Sequence, residues 1–113
     1  DALPIYELNG RKIPADGEGY LEHFEDWSEE LMHLMAAQDG LALTSEHIAV
    51  IKCVQNYYRE YATTPAIRVL IRYLKTGNHS NLADSIALAT LFPDGAAKSA
   101  AKYAGLRKPV RCI

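Results

Sequence analysis

At 113 residues, 49% hydrophobic and 23% charged, the chain is long enough for one globular domain with its own core, and its composition fits neither a disordered nor a membrane-embedded protein. A net charge of −2 excludes a strongly basic or acidic whole, and no apolar run approaches the ~20 residues of a membrane-spanning helix. Two cysteines, Cys53 and Cys112, make no disulfide framework, and no cationic start followed by an apolar stretch suggests a signal peptide, so a reducing cytoplasm is expected.

Taken in chain order, Ile5-Tyr6-Glu7-Leu8 and Arg11-Lys12-Ile13 flank Asn9-Gly10, the strongest short hairpin signal because both turn residues accept positive φ. A lone hairpin is marginal and must pack on something. Asp16 to Gly19 reads as a loop. Asp26 then opens a helix, with Glu29 three residues on as in a capping box, an apolar stripe of Leu31, Leu34 and Met35, and a stop at Asp39-Gly40. Thr44 caps a helix over 45–61, in which Ile48, Ile51, Val54, Tyr58 and Tyr61 recur at three and four and predict a buried face. Thr64-Pro65 reads as a cap with proline at the first helical position, starting a helix over 65–75 with Ile67, Leu70, Ile71 and Leu74 inward. Gly77 to Asn81 is a turn, 82–91 a fourth helix, Pro93-Asp94-Gly95 a break, and 96–103 an alanine-rich fifth helix ended by Gly105. The expected fold is therefore mostly α: a small single-domain bundle of about five helices with a helix-turn-helix-like pair, an N-terminal β-hairpin and a flexible C-terminal arm over 104–113.

The charge is unevenly placed. Residues 1–65 carry four Lys and Arg against twelve Asp and Glu, whereas residues 66–113 carry eight against two. Such polarity suits docking on a charged partner or presenting a basic end to RNA, and equally suits two faces that simply meet in one fold. Arg68, Arg72 and Lys75 fall on one side of the 65–75 helix, so the pair 45–61 and 65–75 is a candidate DNA-binding helix-turn-helix. The balance of the chain is not basic, and the turn lacks glycine, which favours an ordinary solvated face. His23, His33, His47 and His79 are scattered without metal-ligand spacing, and no glycine-rich phosphate loop or nucleophile elbow occurs, so no metal, cofactor or nucleotide site is expected. Cys53 sits beside the apolar stripe of its helix and reads as a small buried hydrophobe.

The last nine residues are different. Cys112 stands one residue from the end, with Arg107, Lys108 and Arg111 around it and Pro109 three residues before it. Pro109 lacks an N–H and disfavours helix at Lys108, so this end should be extended. The thiolate is the reactive form of cysteine, and Lys108 and Arg111 favour it, while the terminal carboxylate opposes them. From Gly105 to Cys112 an extended arm spans at most roughly 23 Å, at ~3.3 Å per residue, enough to carry sulfur into a partner's cleft.

The tail Ala104-Gly105-Leu106-Arg107-Lys108-Pro109-Val110-Arg111-Cys112-Ile113 resembles the C-terminus of the TusE/DsrC family, A-G-L-P-K-P-x-x-C-[VI]. Asp16-Gly17-Glu18-Gly19-Tyr20-Leu21, Trp27-Ser28-Glu29, Thr63-Thr64-Pro65-Ala66-Ile67-Arg68 and Leu91-Phe92-Pro93 are similar to family landmarks in the family order, so the resemblance spans nearly the whole chain. It implies a sulfur carrier that is not a stand-alone enzyme. Sulfur is held as a persulfide on Cys112, supported by Gly105, Lys108, Pro109 and Arg111. It comes from a TusBCD- or DsrEFH-like donor complex and goes to an MnmA-like acceptor in tRNA 2-thiouridine synthesis. Contact with tRNA through that acceptor is a further implication, and a monomer with no membrane partner is expected. Members that serve dissimilatory sulfite reductase carry a second arm cysteine about ten residues upstream. Here that position is Ala101, which points to the single-cysteine TusE type over a sulfur-oxidation or sulfite-reductase partner. Arg107 stands where the family pattern has proline, adding charge and loosening the arm.

Overall fold

The computed structural model describes residues 5–108. The chain opens with a two-stranded antiparallel hairpin, β1 (Ile5–Leu8) and β2 (Arg11–Pro14), in the register Tyr6↔Ile13 and Leu8↔Arg11. Asn9 and Gly10 take φ of 54° and 82°, the mirror-image turn whose twist matches that of the strands. The hairpin is held because Tyr6 and Ile13, paired across it, are both buried against the helices. The Tyr6 hydroxyl donates to Gly19 O at 2.6 Å, tying the hairpin to the following loop.

Five α-helices follow among the described residues: α1 (Glu29–Gln38), α2 (Ser45–Tyr61), α3 (Ile67–Thr76), α4 (Ser85–Leu91) and α5 (Ala96–Tyr103). Helix α2 is the spine, and α5 packs against it and also touches α1, α3 and α4. The alanines of α5 make this close approach possible: Ala100 and Ala101 are fully buried against a core that includes Leu31, Met35, Ile51, Val54, Leu70 and Leu74. No described helix is long and apolar enough to cross a membrane.

Several boundaries differ from the sequence expectation, each for a visible reason. Helix α1 is capped by Ser28, whose side chain accepts from Leu31 N–H, while Asp26 closes a 3-10 turn (Phe24–Asp26) and pairs with Arg11 at 3.0 Å. Helix α3 starts at Ile67, not at Pro65: Ala66 is still extended, Pro65 is buried, and the Thr64 hydroxyl is engaged elsewhere. The expected fourth helix divides into a 3-10 turn (Ser80–Leu82) and α4, with Asp84 as its cap. On α2, Ile51 and Val54 are fully buried, but Tyr61 lies 58% exposed, so the apolar face ends before the last turn. There Tyr61 stacks on Tyr57, which meets Tyr73 edge-on.

His47 is a residue whose role the sequence did not disclose. Its backbone N–H and the Thr44 side chain complete a capping box in which Nδ1 accepts from Thr44 N–H at 3.0 Å. Nε2 then carries the proton and donates to Leu91 O at 2.7 Å, and the ring meets Phe92 edge-on. One buried imidazole thus joins the start of α2 to the end of α4.

Tyr6 and Tyr103 frame the carboxylate at the end of α1. Asp39 accepts from the Tyr103 hydroxyl at 2.9 Å and from Lys102 Nζ at 2.8 Å. Burial, reinforced by the nearby carboxylates of Asp39 and Asp16, pushes the Tyr6 hydroxyl up from 10.0 to about 12. Burial also raises Tyr103, with help from its hydrogen bond to Asp39. A folded-state pKa above the unfolded one gives stability that is whole below the unfolded value and is lost as pH rises through the folded value. Stability should therefore fall between pH 10 and about 12. A Tyr6→Phe variant should start less stable, for want of the bond to Gly19, and lose less across that window; denaturant titrations from pH 9 upward check the difference in slope.

Candidate functional site

The site assembles where the C-terminal arm leaves the body. Helix α5 ends in a Schellman motif: Leu106 N–H donates to Ala101 O at 3.0 Å and Gly105 N–H to Lys102 O at 3.1 Å. This closure requires Gly105 to take φ of +80°, where a side chain is strained. It also brings the Gly105 backbone onto the face of Trp27, so close that a Cβ there would lie 2.8 Å from Cδ1 of the ring. The ring is fixed in turn by its indole N–H, which donates to Tyr103 O at 2.6 Å. Gln55 on α2 donates to Ala104 O at 3.0 Å. Ala104 is fully buried and Leu106 is 5% exposed.

The arm expected over 104–113 is therefore not loose at its beginning. Ala104, Gly105 and Leu106 belong to the packed body, because the Schellman closure turns Leu106 back onto the core instead of releasing the chain at glycine. Arg107 and Lys108 are the first exposed residues. Even these are held: Thr64 Oγ1 donates to Arg107 O at 3.0 Å, and Lys108 Nζ lies 3.1 Å from both carboxylate oxygens of Glu18. Lys108, which the sequence pairs with Cys112, thus faces a carboxylate of the body.

Two open grooves flank this root. One, of about 390 Å³, lies between Arg107 and Lys108 and the loop carrying Asp16, Tyr20 and Glu22. The other, of about 340 Å³, lies on the opposite side against Tyr58, Ala62, Thr63 and Thr64. Neither gathers a set of metal-ligating side chains, and none is found among the described residues. Arg107 and Lys108 line both grooves.

Pro109, Arg111 and Cys112 lie outside the described residues. Cys53 is placed where the sequence expects it, 6% exposed on the inner side of α2, and burial pushes its thiol up, away from the reactive thiolate. Helices α2 and α3 do pack as a pair, with Arg68, Arg72 and Lys75 exposed along α3.

The contributions of Trp27, Gln55, Thr64 and Glu18 are not legible from spacing, since each lies 43 or more residues from the tail atom it holds. Glu18, Trp27 and Thr64 lie within the family landmarks, which gave them no role at the tail, and Gln55 lies outside every landmark.

The family model described as DsrC like protein matches residues 7–113, which includes this root and the tail beyond it. The chain belongs to the DsrC-like family. It is 45% identical over 109 residues to the protein named sulfurtransferase TusE of Pectobacterium atrosepticum, covering 96% of this chain and 100% of that one. Among solved structures it is similar to Allochromatium vinosum DsrC, determined by NMR, with a TM-score of 0.89 and 38% identity over 99% of this chain and 100% of the other. It is also similar to the oxidized γ-subunit of dissimilatory sulfite reductase from Archaeoglobus fulgidus, with a TM-score of 0.84 and 31% identity over 97% of this chain and 100% of that one. The helical bundle with its N-terminal hairpin is the fold of this DsrC-like family.

Proposed function

We propose that this protein is a sulfur-relay carrier that holds sulfur as a persulfide on Cys112. In the loading step the Cys112 thiolate attacks the terminal sulfur of a donor persulfide; the donor's S–S bond breaks, and the donor leaves as a thiolate. In the unloading step an acceptor thiolate attacks the terminal sulfur, and Cys112 leaves as a thiolate. No net oxidation or reduction occurs, so no cofactor is needed. Arg111 supplies positive charge near the anionic sulfur, and Lys108 adds to it only when its ammonium leaves Glu18. The donor is a TusBCD- or DsrEFH-like complex, the acceptor an MnmA-like tRNA thiolase, and the compartment the cytoplasm.

The observation that carries this reading is the full-length likeness to a protein named sulfurtransferase, in a chain whose other thiol, Cys53, is sealed in the core. Ala101 supports the single-cysteine role over that of a sulfite-reductase partner. It stands where the resemblance puts a second arm cysteine, and it is fully buried in α5, so the internal disulfide has no second thiol. The test is the intact mass of the protein after incubation with a desulfurase and cysteine. An adduct of about 32 Da, removed by a reducing thiol, supports the carrier; its absence under conditions that load a control carrier rejects it.

The DNA-binding alternative predicts something measurable as well. The turn between α2 and α3 is committed to the arm root through Thr64, and Leu70 and Leu74 of α3 face the core. Fluorescence anisotropy at physiological salt should show no sequence-specific binding near the ~10⁻⁸ M typical of regulators. Tight binding that weakens in Arg68→Ala and Arg72→Ala would make α3 a recognition helix.

A further inference from the structure

Helix α3 has a solvent face that the fold does not use. The helix holds three cations and no acid. Leu70 and Leu74 are fully buried, while Arg68, Arg72 and Lys75 are exposed on the side away from them, spread over roughly 10 Å at ~1.5 Å per residue. Among the described residues none of the three has an ion-pair partner. Like charges at spacings of four and three repel, so the stripe destabilises the isolated helix slightly. Beside it, the last turn of α2 outruns the core and meets α3 through tyrosines. Tyr61, 58% exposed, stacks on Tyr57 with ring centres 4.5 Å apart, and Tyr57 meets Tyr73 edge-on at 5.3 Å. The Tyr73 hydroxyl donates to Glu60 at 3.0 Å, which fixes the third ring. An ordered aromatic step thus adjoins a line of unpaired cations. Tyrosine and arginine are the residue types that dominate protein interfaces, and rings already held in place lose little freedom when covered.

We propose that this face docks an acidic protein surface, carried by the complex that donates sulfur. Three unpaired cations call for an anionic occupant. A nucleic acid fits less well. Glu60 stands inside the tyrosine cluster, where a phosphate would meet its carboxylate, and Tyr57 covers one face of the Tyr61 ring against base stacking. The chain is also −2 overall and exerts no long-range pull on a polyanion. A folded partner with a local acidic patch meets the cations and leaves Glu60 with Tyr73. The choice of donor over acceptor rests on the carrier reading: an acceptor that holds tRNA presents its own cations to the phosphates, and these repel α3. Thr64, just before α3, holds Arg107 O, so a partner seated on α3 lies beside the root of the tail. The cations steer the encounter, and Tyr61 anchors the complex once formed.

The test is calorimetric titration of the full-length protein with a purified TusBCD- or DsrEFH-like donor complex from the same organism. The double variant Arg68→Glu, Arg72→Glu should bind about 30-fold more weakly at ~50 mM salt and less than about threefold more weakly at ~1 M, where charges are screened within about 3 Å. Tyr61→Ala should weaken binding about tenfold at both salt concentrations, and Tyr61→Phe should keep the wild-type affinity. The double variant Lys12→Glu, Lys98→Glu changes net charge equally on exposed positions elsewhere and should stay within about threefold of wild type. Sulfur loading from limiting donor complex should slow in step with binding, whereas loading from sodium polysulfide, which needs no docking, should keep the wild-type rate. A wild type that does not bind the complex overturns the docking face, as does wild-type affinity in the Arg68, Arg72 variant or an equal loss in the Lys12, Lys98 control. Binding of unmodified tRNA that is lost in the α3 variant while donor binding holds makes this a nucleic-acid face and overturns the proposal too. The titration needs no sulfur transfer: a wild type that binds the complex but takes sulfur from neither source sinks the carrier reading and leaves the face standing, whereas normal loading with unchanged affinities sinks the face alone.

Discussion

Replacing Cys112 with serine should abolish sulfur loading completely while leaving the helical circular dichroism and melting temperature of the protein unchanged. A hydroxyl cannot hold a persulfide, so the expected loss is total. Cys53 cannot take over. It is 6% exposed, it lies on the inner side of α2, and burial holds it as the neutral thiol. In Cys53→Ala the adduct of about 32 Da should persist at wild-type stoichiometry. Intact-mass analysis of the two variants after the same desulfurase treatment separates the cases. An adduct that survives in Cys112→Ser would move the chemistry to the helix cysteine and require α2 to open before each transfer.

Gly105→Ala should be strongly destabilising although it adds only one methyl. The residue holds φ of +80°, and left-handed backbone costs an ordinary residue roughly 1–2 kcal/mol. The added Cβ would meet Trp27 at 2.8, 2.9 and 3.0 Å on Cδ1, Cβ and Cγ. Trp27 cannot swing aside without giving up its 2.6 Å bond to Tyr103 O, which leaves a polar group unsatisfied at a cost of about 1–3 kcal/mol. The sum is roughly 2–5 kcal/mol, and for a domain of this size the melting temperature should fall by on the order of 10–20 °C. Deleting residues 107–113 gives the contrast. Arg107 and Lys108, the described residues of that segment, are exposed and are held by a Thr64 hydrogen bond and a surface ion pair with Glu18; the truncated protein is expected to melt within a few degrees of the full chain while losing all sulfur transfer. Thermal unfolding of the two variants side by side tests both statements. A truncation that melts as low as Gly105→Ala would make the arm a packed structural element, and the carrier would then need a large release before it could act.

Taken alone, the sequence determined the elements whose signals are local. Asn9-Gly10 specified the hairpin, since only a positive-φ pair makes that turn. Thr44 and the three-and-four spacing specified α2 over 45–61, because capping and amphipathic periodicity act within a few residues. The alanine run and Gly105 specified α5 and its end, and the burial of Cys53 followed from its place beside the apolar stripe. The ordered landmarks carried the family. What only the tertiary structure decided was everything set by contact between distant segments. Helix α3 starts two residues late because Pro65 is buried and Thr64 is drawn to Arg107 O, 43 residues away. Tyr61 turned outward because α2 outruns the core that covers its inner face. The arm begins at Arg107, not at Ala104, because Trp27, Gln55 and the Schellman closure bind the preceding residues to the body. A glycine in the sequence marks where a helix stops; whether the chain beyond it is released or turned back depends on whether the next side chain finds a core to enter, and Leu106 does.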